Sequence, residues 1–153
     1  MMNAKNFLKQ LKKLDKMIEN KILEKAQWRS IAVGTTSSSQ SVKINGVLHN
    51  MEKVQSSGNQ QKMADAIDRY VDIESEINQC IDRLIDTKKD VINVIEQLNT
   101  TEYDLLHKVY VQYLTLEDVA DAYDKTYSWA TTVHGRALKH VQKILDERER
   151  TKQ

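Results

Sequence analysis

The chain contains no proline, one cysteine and one phenylalanine in 153 residues. An average chain of this length would carry about seven prolines, and proline breaks helix interiors, so its absence makes long uninterrupted helices the default expectation. The lone cysteine, Cys80, excludes an intrachain disulfide and a thiolate metal cluster within one chain, and it suits a reducing cytoplasm. Neither the N-terminal run Met1 to Lys13 nor any later stretch is apolar enough for a signal peptide or a membrane span, so a cytoplasmic protein without a membrane partner is expected. With 40% hydrophobic residues against 29% charged ones, there is too little apolar material for a thick core and enough for helices that each bury one stripe. The expected class is all-α, and the expected form is elongated.

The net charge of +1 hides a segregation of charge along the chain. Asn3 to Val33 carries eight Lys or Arg against three acids, whereas Gln60 to Asn99 carries nine acids against five Lys or Arg. In the basic segment, Ala4, Phe7, Leu11, Leu14, Ile18 and Ile22 recur at three- and four-residue spacing, which predicts a helix from about Ala4 to Ala32. In the acidic segment, Met63, Ile67, Tyr70, Ile77, Ile81, Leu84, Val91, Ile95 and Leu98 follow a 4-3 heptad seam interrupted only by Glu74 and Lys88. Those two read best as partly exposed ends of the seam, and Cys80 as a small helix residue. A single such stripe is not stable alone in water, and the basic helix is its natural antiparallel partner. Residues 1–99 are therefore expected to form a long, coiled-coil-like helical hairpin with a flexible loop at 34–59. Within that loop, Asn45-Gly46 between Ile44 and Val47 suits a type I′ β-turn, and Ser57 with Gln60 has capping-box spacing for the second helix.

Asn99-Thr100-Thr101 marks a boundary, with Thr101 and Asp104 at capping-box spacing, and residues 100–153 are expected to form a separate unit. Three shorter helices are predicted there: Tyr103 to Tyr113, Leu116 to Tyr123 and Tyr127 to about Arg148. Thr115 caps the second with Asp118 three residues on, Asp124-Lys125-Thr126 leaves room only for a sharp turn, and Thr126 caps the third. Leu106, Val109, Tyr110, Leu116, Val119, Ala120, Ala130, Val133, Leu138 and Val141 supply inward faces, with Ala120 and Ala130 small enough for a close crossing. This is a helix-turn-helix layout.

The third helix has the charge that a DNA-facing element needs. No acid occurs from Lys125 to Ile144, while Lys125, Arg136, Lys139 and Lys143 suit phosphates, and His134 and His140 can donate when protonated. The DNA-contacting set expected from this pattern is Lys125, Thr126, Tyr127, Ser128, Thr131, Thr132, Arg136, Lys139 and Lys143, with Thr131, Thr132 and Arg136 as the base readers. A basic stripe on a C-terminal helix also arises as a solvated face that complements the helix dipole, and the combination of caps, turn and spacing weighs against that plainer account. Trp129 reads as packing beneath the turn rather than as a base-stacking residue. His49, His107, His134 and His140 have no metal-ligand spacing with Cys80 or carboxylates, so no metal and no cofactor is expected. There is no phosphate-cradling glycine loop, nucleophile elbow or paired-carboxylate motif, which argues against an enzyme.

The runs Glu102-Tyr103-Asp104-Leu105-Leu106, Tyr113-Leu114-Thr115-Leu116-Glu117-Asp118-Val119-Ala120 and His134-Gly135-Arg136-Ala137-Leu138 resemble region 4 of bacterial sigma factors over about 45 residues. The whole chain, including Val54 to Asn59, further resembles the small phage sigma-like late-gene regulators of the ArpU and RinA type. The resemblance implies a phage-encoded, DNA-binding activator of late genes that works in the bacterial host with its RNA polymerase. Its partners would be double-stranded promoter DNA, the polymerase, and a second copy through the helical hairpin. The chain departs from sigma factors in a reading helix poorer in Arg, in Gly135 within that helix, and in having no counterpart of the promoter-melting region 2. Two other functions fit a helix-turn-helix joined to helical elements: a small terminase-type DNA-packaging subunit, and a helical protein-binding adaptor.

Overall fold

A computed structural model describes residues 2–36, 42–44, 47–49 and 57–152. The described chain is helical apart from one two-stranded ribbon. The order is α1 (Ala4–Thr36), β1 (Val42–Ile44), β2 (Val47–His49), α2 (Ser57–Ile95), α3 (Thr100–Leu106), a π turn (His107–Val111), α4 (Leu116–Ala122) and α5 (Tyr127–Thr151). Strands β1 and β2 pair antiparallel with Val42 opposite His49 and Ile44 opposite Val47. The expected Asn45-Gly46 turn type lies outside the described residues, as do most of the loop expected at 34–59 and the Ser57 side chain on which the Ser57–Gln60 capping box depends.

The chain divides into two compact units, one of Ile18–Gln79 and the other of Met1–Met17 with Cys80–Gln153. In the first, the opposite charges of α1 and α2 meet in ion pairs. Lys21 pairs with Glu76, Lys25 with Glu74 at 3.1 Å, and Glu24 with Arg69 at 2.9 Å. Lys21 pairs farther along α2 than Glu24 or Lys25 does, as in an antiparallel pairing. Arg69 also reaches Glu76 at 2.9 Å. Hydrogen bonds from Arg69 hold the Glu24 carboxyl below the usual carboxylate range, and those from Lys21 and Arg69 do the same for Glu76. Exposed pairs of this kind each contribute little, while Ala66, Ile73 and Ile77 of α2 are buried.

The seam of α2 differs from the expected 4-3 register. Met63, Tyr70, Ile77, Leu84, Val91 and Leu98 face inward or are half-buried as expected, but the intervening position falls three residues later, not four. Ala66, Ile73, Cys80 and Val94 are buried, whereas Ile67 is 44% and Ile81 38% exposed, and Glu74 and Lys88 lie in solvent. Residues three and four beyond a core position flank it about equally on a 3.6-residue helix, so periodicity alone does not choose between them. The register adopted keeps both charged residues out of the seam. Cys80 is thus a core residue. Ile95 is also buried, widening the stripe where α2 enters the second unit.

The two units divide within α1, after Met17, and within α2, before Cys80. Ala4, Phe7, Leu8 and Leu11 of α1 and Val91, Val94 and Ile95 of α2 share one core with Leu105, Leu106, Tyr110, Val119, Val133, Ala137, Val141 and Leu145. Helices α3 and α4 have seven residues each and bury too little surface on their own, so they fold against the first turns of α1 and the end of α2. Gln142 of α5 ties α1 into this unit: its Oε1 accepts the Ala4 N–H at 2.8 Å, and its Nε2 donates to the Met2 carbonyl at 3.2 Å. That side chain supplies an end cap to a helix 138 positions earlier in the chain.

Candidate nucleic-acid interface

Local caps and one left-handed residue position α4 and α5. Thr115 precedes α4 in extended conformation; its Oγ1 accepts the Asp118 N–H at 3.1 Å while the Asp118 carboxylate accepts the Thr115 N–H at 2.8 Å. This is the expected reciprocal capping box, and the bonds from Thr115 hold the Asp118 carboxyl below its usual range. At the other end of α4 the Lys125 N–H bonds to the Ala120 carbonyl at 2.9 Å, and Asp124 sits at φ 51°. A short polar residue tolerates that left-handed conformation, and it turns the chain sharply enough for α5 to begin at Tyr127. Thr126 then caps α5 by accepting the Trp129 N–H at 3.2 Å. Trp129 packs against Tyr123 with ring centroids 5.2 Å apart, beneath the turn.

Of the residues expected to supply cap oxygens at the start of α3, Asn99 does so, and the Thr101–Asp104 box does not form. Asn99 is the cap, its Oδ1 accepting the Glu102 N–H at 3.0 Å. Asp104 instead binds Lys108 and the Tyr123 hydroxyl, joining α3 to the turn. Burial alone would raise the Asp104 carboxyl, but these two bonds more than offset it and leave it low. The predicted continuous helix to Tyr113 widens into a π turn, with the Gln112 N–H reaching the His107 carbonyl at 3.0 Å, and stops at Tyr113 in the left-handed region at φ 61°.

The predicted inward residues are all buried or half-buried, with Ala120 and Ala130 almost fully enclosed. At 3.6 residues per turn, Ala130, Val133, Ala137 and Val141 line the core side of α5, while Ser128, Thr132, Gly135, Lys139 and Lys143 follow one another along the opposite face. Lys125, Thr126 and Tyr127 are exposed in the turn and the first residue of α5. Thr131 lies at the margin, half-buried. The Thr131 and Thr132 hydroxyls both donate to the Ser128 carbonyl, at 2.9 and 2.8 Å, which leaves their oxygens free only as acceptors.

Arg136 has a different role from its neighbours. Its Nε donates to Oε1 of Glu102 at 2.7 Å, and His140 Nδ1 contacts Oε2 of the same carboxylate at 2.8 Å. Glu102 is the one fully buried charged residue among those described. Burial pushes its carboxyl up, but the hydrogen bonds from His140 and Arg136 outweigh that and hold it below the usual range. His140 therefore serves α3 rather than a phosphate. His134 is also turned inward: its Nε2 is 2.9 Å from the Tyr110 hydroxyl, and burial followed by the nearby Lys5 charge lowers its pKa, so it is neutral near pH 7. Burial also raises the Tyr110 hydroxyl to about 12. Of the expected cationic set, Lys125, Lys139 and Lys143 form no ion pair among the described residues, and Arg136 stays 55% exposed on the α3 flank.

Sequence reasoning missed Glu102, Gln142 and the inward roles of His134 and His140. The spacing of Arg136 and His140 by one helical turn is visible in the chain, but nothing local marks Glu102 as their shared partner. Among the described residues no three His, Cys, Asp or Glu side chains are placed to hold a metal ion, and no helix is long and apolar enough to cross a membrane. The chain matches no protein-family model, no curated protein and no solved structure.

Proposed function

We propose that the protein is a double-stranded-DNA-binding transcription regulator in which α4, the turn and α5 act as a helix-turn-helix, with α5 as the helix that enters the major groove. The observation that carries this reading is the exposed face of α5 from Tyr127 to Ile144, a stretch without an acid, presented by two consecutive threonine-capped helices across a sharp turn. On that face Lys139 and Lys143 supply charge for phosphates, with Lys125 and Ser128 near the helix start. Thr131 and Thr132, whose oxygens remain available as acceptors, suit base amino groups. Arg136 works first as an anchor to Glu102, which sets the angle of α5 against α3, and only its exposed remainder faces outward. The antiparallel hairpin of α1 and α2 offers a surface for a second copy or for RNA polymerase. The likeness of residues 102–138 to sigma region 4 supports a phage late-gene activator acting with the host polymerase. Few cations line the reading face, which favours such a supplementary contact.

Duplex binding of the full chain, with and without Lys139→Ala and Lys143→Ala, tests the reading. The paired variant is expected to weaken binding and to flatten the slope of log K against log salt by about 1.8, at about 0.9 for each phosphate no longer neutralised. Unchanged binding removes α5 from the groove. Genome-wide mapping of bound sites separates the functions: sites upstream of structural genes support the activator, sites at packaging signals a terminase-type subunit, and no specific sites an adaptor.

A further inference from the structure

We infer that α1 carries part of the duplex interface, with Lys5, Lys9 and Lys12 holding phosphates of the strand that flanks the groove entered by α5. This rests on the DNA-binding reading above. In the sequence these lysines look like part of the basic complement to acidic α2. The ion pairs between the two helices instead use Lys21 and Lys25, farther along α1.

The core fixes where the three lysines stand. Phe7, Leu8 and Leu11 are buried beside α5, and the Ala4 N–H is capped by Gln142, so the first turns of α1 are held against the same core as the reader. Lys5, Lys9 and Lys12 follow at i, i+4 and i+7 along the exposed side. They form one wall of a cleft of about 330 Å³ whose other walls include Tyr110, Thr115 and His134, that is, the π turn, the cap of α4 and the flank of α5. No carboxylate lines that cleft among the described residues, and none of the three ammonium groups forms an ion pair there. Lys5 is close enough to α5 for its charge to help lower the His134 pKa.

A row of three uncompensated cations beside a helix that itself carries Lys139 and Lys143 fits a continuous polyanion better than a single small anion. Seven residues of helix span about 10 Å. Each strand of a duplex carries a phosphate about every 3.4 Å of axis, so the row meets more than one. This arrangement also answers the shortage of cations on α5: the missing charge is supplied from the opposite end of the chain.

The test uses the full chain with Lys5→Ala, Lys9→Ala and Lys12→Ala combined, titrated with a fluorescein-labelled mixed-sequence duplex over a range of salt. With three phosphates no longer neutralised, the salt slope should fall by about 2.7. The corresponding Lys→Arg triple variant should keep the wild-type slope. Because all three side chains are exposed, thermal melting should not change; the single Lys9→Glu variant gives the same direction of effect if the triple variant folds poorly. A wild-type slope in the alanine variant, with binding still weakened by Lys139→Ala and Lys143→Ala, overturns this inference and leaves the DNA reading intact. Absence of any duplex binding by the wild-type chain overturns both. If these lysines are needed for an acidic peptide and not for the duplex, the α1 surface belongs to a protein partner and the inference also falls.

Discussion

Arg136 Nε donates to Glu102 Oε1 at 2.7 Å, and while the Glu102 side chain has no exposed surface, that of Arg136 keeps 55% of its own. The pair links the first residues of α3 to the middle of α5, and His140 one turn later completes the grip on the carboxylate at 2.8 Å. A carboxylate out of water with two partners at the solvent edge is stable only while both remain, because the bonds must offset its desolvation.

Glu102→Ala is therefore expected to destabilise the fold by about 2–3 kcal/mol, less than the roughly 3–5 kcal/mol for breaking a fully buried pair, since Arg136 and His140 stay partly hydrated. Glu102→Gln should cost less than the alanine change. Urea melts at neutral pH measure both. The Glu102 pKa is lowered on folding from its ordinary 4.5, so its contribution is present above that pH and is lost as pH falls through the lowered folded value. The alanine variant should lose that acid-side dependence.

His134 predicts a second pH dependence, at higher pH. Burial and the Lys5 charge lower its pKa in the folded state from 6.5, so its contribution is full above pH 6.5 and declines as pH falls below it, where the unfolded chain takes up the proton first. Stability measured by denaturant from pH 8 to pH 5, a window bracketing the ordinary histidine pKa of about 6.5, should fall over the lower half for the wild type. His134→Gln, which can still bond to Tyr110, should be flatter over that interval. An equal slope in both proteins would show that the histidine is not held neutral.

The register of α2 can be tested with two isoleucines. Ile73 is fully buried and Ile67 is 44% exposed. Ile73→Ala should cost about 2–4 kcal/mol through lost burial and the cavity left behind, and Ile67→Ala under about 1 kcal/mol. Comparable losses at both positions would instead favour the register with Ile67 in the seam. Circular dichroism during chemical unfolding is sufficient to distinguish the outcomes.

Gly135 lies on the face of α5 that carries Thr132 and Lys139, and a Cβ built there meets nothing within 4 Å. Nothing inside the protein requires glycine, although glycine in a helix interior costs about 0.5–1 kcal/mol relative to alanine. Gly135→Ala should accordingly raise the melting temperature. If α5 lies in a groove at close approach, the same variant should weaken duplex binding. Stabilisation with undiminished binding would leave Gly135 without a role at the interface.

Much of the helical layout was legible because its determinants are local. The Thr115–Asp118 box, the Thr126 cap and the three-residue turn depend on groups within a few positions of one another, and each occurs where the chain predicts it. The buried face of α5 follows from 3.6-residue periodicity for the same reason. The Asn99 cap was partly legible: Asn99 and Glu102 have capping spacing, as do Thr101 and Asp104 two residues later, and in the fold Asn99 caps the helix while Glu102 bonds to Arg136 and His140.

What the sequence determined by itself is the helical class, the segregation of charge between the two long helices, and the exposed acid-free face that begins after Thr126. What only the tertiary structure decided is which of two adjacent registers α2 buries, that the unit boundary runs through α1 and α2, that Glu102 is the buried anchor of Arg136, and that Lys5, Lys9 and Lys12 share a cleft with Thr115 and His134. The division has a physical cause. Caps and periodicity arise from bonds and steric contacts within one or two turns, whereas burial of a carboxylate or the choice between Ile67 and Ile73 depends on surfaces contributed by residues far away in the chain.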